Sequence, residues 1–200
     1  EVMGKKMVRG KEIALAIDPE YYEKLWVCSH ESCPDWMQPP DLSAADCYMG
    51  NGYFPSWCAD VVWMQLEAAA KDPRYAYGET ILTFWPWPNG AFGATNACTQ
   101  YVKVDTNGDG QADRTDVVFM PINSFLETLT GMGPEFQVLP AQRIGNTQVA
   151  GFVARSPQQA HVLLYAHDHW DTQSRSDRTF EVDLSLAGLD GKKARIKTYR

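Results

Sequence analysis

The chain lacks an excess of positive charge: 18 Lys and Arg stand against 25 Asp and Glu, a formal net charge of -7 over 200 residues. Such a balance offers no basic face to neutralise phosphates or to dock on anionic lipid, which argues against nucleic acid and membrane surfaces as partners. Long hydrophobic runs are missing too. Runs such as Val61 to Met64 and Ala68 to Ala70 are only a few residues long, far short of the roughly 20 apolar residues of a membrane span. No basic segment followed by an apolar one opens the chain in the manner of a secretory leader. Cys28, Cys33, Cys47, Cys58 and Cys98 form no C-x2-C pair, so a structural zinc site built on cysteine is disfavoured. Four of the five fall close together, and one or two disulfides in an oxidising compartment stay open beside buried thiols as the explanation. Repeats and low-complexity tracts are absent. What remains is 44% hydrophobic and 12% aromatic residues, enough for the core of one ordinary domain or two small ones.

Helix formers at Glu12 to Ile17 end at Asp18-Pro19, which predicts a helix followed by a turn. Lys24 to Ser29 is almost wholly apolar on both alternating faces, the pattern of a buried parallel strand. A long loop from Cys33 to Ser56 leads to a helix predicted over Trp57 to Lys71, with Ser56 as its cap and Asp72-Pro73 as its stop. Thr80 to Trp85 reads as a second buried strand, followed by a long loop to about Thr115 and a helix over Asp116 to Gly131. This is the βα alternation of a parallel sheet. Beyond Gly133 the pattern changes to short alternating strands at Gln148 to Arg155, Ala160 to Ala166, Thr179 to Leu186 and Lys193 to Arg200, an antiparallel sandwich. The fold expected is α/β: the C-terminal part of a (β/α)8 barrel over residues 1–134, then a β-sandwich accessory domain over 135–200. The last strand stops at Arg200 in mid-pattern, so a piece of a longer protein is expected.

Glu31 follows a buried strand directly and opens an aromatic-rich loop, which is where parallel α/β barrels project catalytic side chains. A carboxylate there can act as nucleophile or base, and Trp36, Trp57, Trp85 and Trp87 offer flat faces for stacking on sugar rings. Ser29-His30-Glu31 is no triad, since adjacent strand residues point to opposite faces.

The run Leu25-Trp-Val-Cys-Ser-His-Glu31-Ser-Cys-Pro-Asp35-Trp36, then Trp57-Cys-Ala-Asp-Val61, then Thr83-Phe-Trp-Pro-Trp-Pro-Asn-Gly-Ala-Phe92, resembles the last barrel strands of glycoside hydrolase family 39, the α-L-iduronidase and β-xylosidase family. Pro121 to Leu129 resembles that family's last barrel helix. His161 to Tyr165, Asp183 to Leu189 and Lys197 to Arg200 resemble its accessory sandwich. The resemblance spans nearly the whole chain and rests on the order of short motifs. It implies a retaining glycosidase acting on a glycoside or oligosaccharide, with Glu31 as nucleophile and His30, Trp36, Trp85, Trp87 and Asn89 in contact with substrate. No cofactor is needed for that catalysis. The acid/base glutamate would come from a strand outside these residues, because Glu67 sits on a helix face and Glu79 at a strand's start. Asn89 and Tyr101 stand where iduronidases place an acidic residue and an arginine, so a neutral sugar is expected. The alternative, from another class, is a non-catalytic carbohydrate-binding or calcium-dependent interaction protein.

A second constellation is Asp105-Thr-Asn107-Gly-Asp109-Gly110-Gln111-Ala-Asp113-Arg-Thr-Asp116. Oxygen donors at loop positions 1, 3, 5, 9 and 12, a glycine at 6 and the Gln111 carbonyl at 7 are what a calcium shell requires of a single loop. Asp116 takes the place usually held by glutamate, as in dockerin-like loops. A structural calcium ion is expected there, and together with the clustered cysteines it points to the periplasm or the cell exterior. His167-Asp-His169-Trp-Asp171 carries metal-type side chains at a spacing that matches no familiar zinc motif, and reads as a polar hairpin tip.

Overall fold

The computed structural model describes residues 2–22, 28–29, 51–72, 79–80, 99–133, 135–155, 160–169 and 179–181. In chain order the described elements are helices α1 (Val2–Ile17) and α2 (Pro19–Tyr22), strand β1 (Cys28–Ser29), helix α3 (Tyr53–Lys71) and strand β2 (Glu79–Thr80). Strands β3 (Thr99–Val104) and β4 (Arg114–Phe119), helix α4 (Pro121–Met132), and strands β5 (Phe136–Ile144), β6 (Thr147–Arg155) and β7 (Ala160–Asp168) follow.

β1 and β2 pair in parallel, Cys28 opposite Glu79 and Ser29 opposite Thr80. Parallel neighbours cannot be joined by a hairpin and need a crossover, and α3 lies in that crossover. A parallel pairing with a helix between its strands is therefore present at these four residues, and the rest of the two expected strands, residues 24–27 and 81–85, lies outside the described residues.

The helix expected from Asp116 begins later. Arg114–Phe119 is the return strand of a hairpin with Thr99–Val104, and the register runs from Thr99 opposite Phe119 to Val104 opposite Arg114. Val117, Val118 and Phe119 are β-branched or aromatic and favour a pleated surface. Pro121 would fall in the interior of a helix starting at Asp116, where its ring and missing N–H break the ladder. At the first position of α4 it costs nothing. The expected loop up to Thr115 contains β3 for the same reason: its partner strand lies downstream. α3 also starts earlier than Trp57. Asn51 accepts the Tyr53 amide through its side chain at 2.8 Å, so Ser56 lies inside the helix with its hydroxyl available for another partner.

β5, β6 and β7 form an antiparallel sheet in that order. β6 and β7 match the expected strands to within a few residues, and β5 is an addition. Its register shifts between Leu139 and Gln142, around Pro140, which has no N–H to give to a ladder. Of the two further strands expected, only residues 179–181 are described, and those are not strand.

One face of this sheet carries Phe136, Val138, Ala150, Phe152, Ala154, Leu163 and Tyr165, and α3 lies against it with Phe54, Trp57, Cys58 and Val61 buried; Ile122, Phe125 and Met132 of α4 complete the cluster. Gly151 sits where a Cβ would run into the Leu163 carbonyl, so its lack of a side chain lets β6 and β7 close up. The hydrophobic cluster runs without a break from α3 and α4 into the sheet, across the boundary expected near residues 133 to 140. No helix among the described residues is long and apolar enough to cross a membrane.

Candidate functional site

Glu31, His30, Trp36, Trp85, Trp87 and Asn89 lie outside the described residues. The calcium-type loop is described in full. Residues 105–113 connect β3 to β4 and are exposed. The Asp105 carboxylate accepts the amides of Asn107 at 3.2 Å, Gly108 at 2.6 Å and Gly110 at 2.7 Å. Gly110 takes a φ of +82°, a conformation that side chains resist. The Gly110 and Gly108 amides hold the Asp105 carboxyl below the usual carboxylate range. Asp113 is lowered too, by the Thr106 hydroxyl at 2.7 Å and then the Thr106 amide at 3.1 Å. Asp109 accepts the Asn107 side-chain amide and the Gln111 N–H. Asp116 stands on β4 and pairs with Arg114 at 2.8 Å. The loop thus orders its carboxylates on its own backbone. The donor chemistry is oxygen throughout, the kind calcium takes, but the carboxylates of Asp105, Asp109, Asp113 and Asp116 are not gathered around a common point.

A different constellation is buried beneath α3. Along β7, side chains alternate between faces, so His161, Leu163, Tyr165 and His167 share the face toward the helix. The His169 amide donates to the Asn146 carbonyl at 3.2 Å and continues the alternation one step past the strand. On α3, Ser56, Asp60 and Trp63 recur at helical spacing and fall on one side. Seven residues of helix advance roughly 10 Å, close to two inter-strand spacings of about 4.8 Å. The three side chains therefore reach across the sheet in turn. The Ser56 Oγ lies 3.1 Å from His167 Nδ1 on β7. Asp60 meets β6 and β7, and the Trp63 indole N–H donates to the Leu139 carbonyl of β5 at 2.7 Å.

Asp60 is 2% exposed. Its Oδ1 accepts the Tyr165 hydroxyl at 2.8 Å and the Gln148 Nε2 at 2.5 Å. Its Oδ2 lies 3.2 Å from His169 Nε2. Burial opposes ionisation of Asp60, but the His169 and Tyr165 contacts and the field of the two histidines outweigh it and hold the carboxyl below its ordinary value. Burial and the Asp60 charge raise the Tyr165 hydroxyl pKa, so Tyr165 stays a donor. Burial pushes His167 down to about 4, against a smaller opposing pull from Asp60. His167 is therefore a neutral imidazole at pH 7. Its ring lies 4.8 Å from that of Tyr53 and 5.2 Å from that of His169, centre to centre.

Asp60, His167 and His169 each present a donor atom, and the three atoms lie within 4.8 Å of one another. Among the described residues this is the one set of three or more His, Cys, Asp or Glu gathered so closely. The sequence reading of a polar hairpin tip is corrected at His167, which is buried, and at His169, whose side chain is 5% exposed, both beside Asp60 of α3; Trp170 and Asp171 lie outside the described residues. His-x-His on a strand places both rings on one face, and that was the signal available. Its complement was an aspartate on the apolar side of a helix, between Ala59 and Val61. Nothing in a linear motif joins the two, since Asp60 and Tyr165 are 105 positions apart.

Comparison with known protein families, curated proteins and solved structures gives no match to this chain.

Proposed function

We propose that the chain forms the closing part of a retaining glycoside hydrolase in which Glu31 attacks the anomeric carbon of a neutral sugar. The observation that carries this reading is the parallel pair Cys28–Ser29 and Glu79–Thr80 with α3 in the crossover. Glu31 follows β1 by two residues. Side chains just past the C-terminal ends of parallel strands converge on the ligand in α/β folds.

In the proposed reaction Glu31 displaces the leaving group to form a covalent glycosyl intermediate, and a second glutamate from an earlier barrel strand first protonates the leaving oxygen and then activates water. Retention requires the two carboxyls about 5 to 5.5 Å apart. Trp36, Trp85 and Trp87 stack on the sugar, with His30 and Asn89 as polar contacts. Calcium in the Asp105–Asp116 loop has a structural role in this scheme, and catalysis uses none.

The test is Glu31→Gln in the protein that carries this chain together with its acid/base strand. Turnover of an aryl glycoside should fall by several orders of magnitude, on the order of the loss seen when an enzyme nucleophile is removed, while sugar affinity stays close to wild type. Azide should restore cleavage to Glu31→Ala and yield a glycosyl azide of inverted configuration. Near wild-type turnover in Glu31→Gln, or labelling of another carboxylate by a mechanism-based fluorosugar, overturns the assignment. Sugar binding with no turnover in the wild type transfers the chain to the carbohydrate-binding class.

A further inference from the structure

We infer that Asp60, His167 and His169 form a binding site for a zinc-class divalent cation, which ties α3 to the β6–β7 edge of the sheet. The inference is independent of the glycosidase reading, because none of these residues takes part in that chemistry.

Three features carry it. The first is the donor set. Two imidazoles and a carboxylate suit zinc and its neighbours in the first transition row, whereas calcium takes oxygen ligands. The second is spacing. Ligand bonds of about 2.0 to 2.2 Å in a tetrahedron put neighbouring donor atoms roughly 3.3 Å apart. His169 Nε2 and Asp60 Oδ2 already stand at 3.2 Å, and the remaining separations, within 4.8 Å, close by small side-chain rotations.

The third is the outer shell. Metal-ligating histidines give their other ring N–H to a protein acceptor, and ligating carboxylates are themselves hydrogen-bonded. Ser56 Oγ has a single proton, and it is donated to the Tyr53 carbonyl at 2.8 Å. Toward His167 Nδ1, 3.1 Å away, the hydroxyl is then placed to accept, the outer-shell contact that suits a histidine carrying its proton on Nδ1 and offering Nε2 to a metal. On the carboxylate, Tyr165 and Gln148 both donate to Oδ1, and Oδ2 is the oxygen that faces His169 Nε2. Asp60 at 2% and His167 at 3% exposure exclude bulk water from the site, and one water completes a four-coordinate shell.

The experiment strips the full chain with a chelator and titrates it with Zn2+ by calorimetry and with Co2+ by visible absorption. One ion per chain, the bands of tetrahedral Co2+ and a higher unfolding midpoint with Zn2+ are expected. Asp60→Asn and His169→Gln keep size and hydrogen bonding and should each weaken Zn2+ binding by at least ~100-fold with an unchanged circular dichroism spectrum. Ser56→Ala, which touches only the outer shell, should weaken it by about 10-fold. His161→Gln, on the same strand face but outside the cluster, and Asp109→Ala in the hairpin loop should bind as wild type does. Nitrogen-15 shifts of His167 should show the Nδ1–H form without metal and a moved Nε2 resonance with it. Absence of a stoichiometric Zn2+ site in the folded wild type overturns the inference, as does wild-type affinity in His169→Gln or loss of the site in His161→Gln.

Discussion

Two acidic regions of this molecule organise their carboxylates in opposite ways. In the β3–β4 loop the aspartates are close in sequence and exposed, and their partners are amides and hydroxyls a few residues away. Beneath α3 a single aspartate is buried, and its partners, Tyr165, Gln148 and His169, come from strands far along the chain. The loop's geometry is complete once its own turn forms. The buried cluster exists only when helix and sheet have docked. An exposed carboxylate exchanges water for protein donors at little net gain, while a buried one must be fully satisfied or it destabilises the fold. Chemistry of the same type therefore serves local order in one place and tertiary specificity in the other.

The sharpest way to break this contrast is by truncation. Asp60→Ala leaves the Tyr165 hydroxyl, the Gln148 amide and His169 without their common acceptor, and should cost about 3 to 5 kcal/mol in urea unfolding. Asp109→Ala in the loop should leave the same transition almost unmoved. Equal effects at the two positions would remove the distinction.

pH separates the regions next. His167 is held at about 4 in the folded chain against an ordinary 6.5, so in the metal-free protein the unfolded chain takes up a proton first. Stability is then complete above about pH 6.5 and declines as pH falls toward 4, by at most about 3 kcal/mol. Asp60, Asp105 and Asp113 are lowered carboxyls. Their stabilisation is present above the ordinary carboxylate range and is lost only as pH falls below it. Thermal unfolding followed from pH 7 to pH 3 should show two limbs, and His167→Gln should flatten the upper one. A single limb confined to the carboxylate range would show that burial of His167 has no energetic weight.

Calcium probes the smallest effect, confined to one hairpin. Binding should slow proteolytic cleavage between β3 and β4 and leave the α3–sheet core unchanged. Asp109→Ala should abolish uptake by removing a charged ligand, and Asp60→Asn should retain it. Calorimetry with identical calcium uptake in wild type and Asp109→Ala would rule out the loop as the site.

Much of this could be read in advance from residues that act over short range. The apolar face of Trp57 to Lys71, the stops at Asp18-Pro19 and Asp72-Pro73, and the alternation over Gln148 to Arg155 and Ala160 to Ala166 all mark elements that the described structure contains. The 12-residue acidic loop was legible for the same reason, since its turn is written in its own glycines and aspartates. The misread segments are those whose partner was distant. Thr99–Val104 became a strand through Arg114–Phe119, and Phe136–Ile144 through Thr147–Arg155. Ser56 reads as a helix cap from its local neighbours, but in the structure the N-cap position is Gly52, preceded by Asn51, whose side chain accepts the Tyr53 amide, and Ser56 lies within the helix beside His167.

Composition and charge, the helix ending at Lys71, the strands at Thr147–Arg155 and Ala160–Asp168 and the loop's donor pattern could be read from the sequence alone, because these elements and the loop depend on propensities and hydrogen bonds spanning a few residues. The buried Asp60, His167 and His169 cluster was decided by tertiary structure. A periodic pattern tells which face of a helix or strand is inward, but not which other element it meets or at what register. Only the crossing of α3 over β5, β6 and β7 brings those three side chains to a common point.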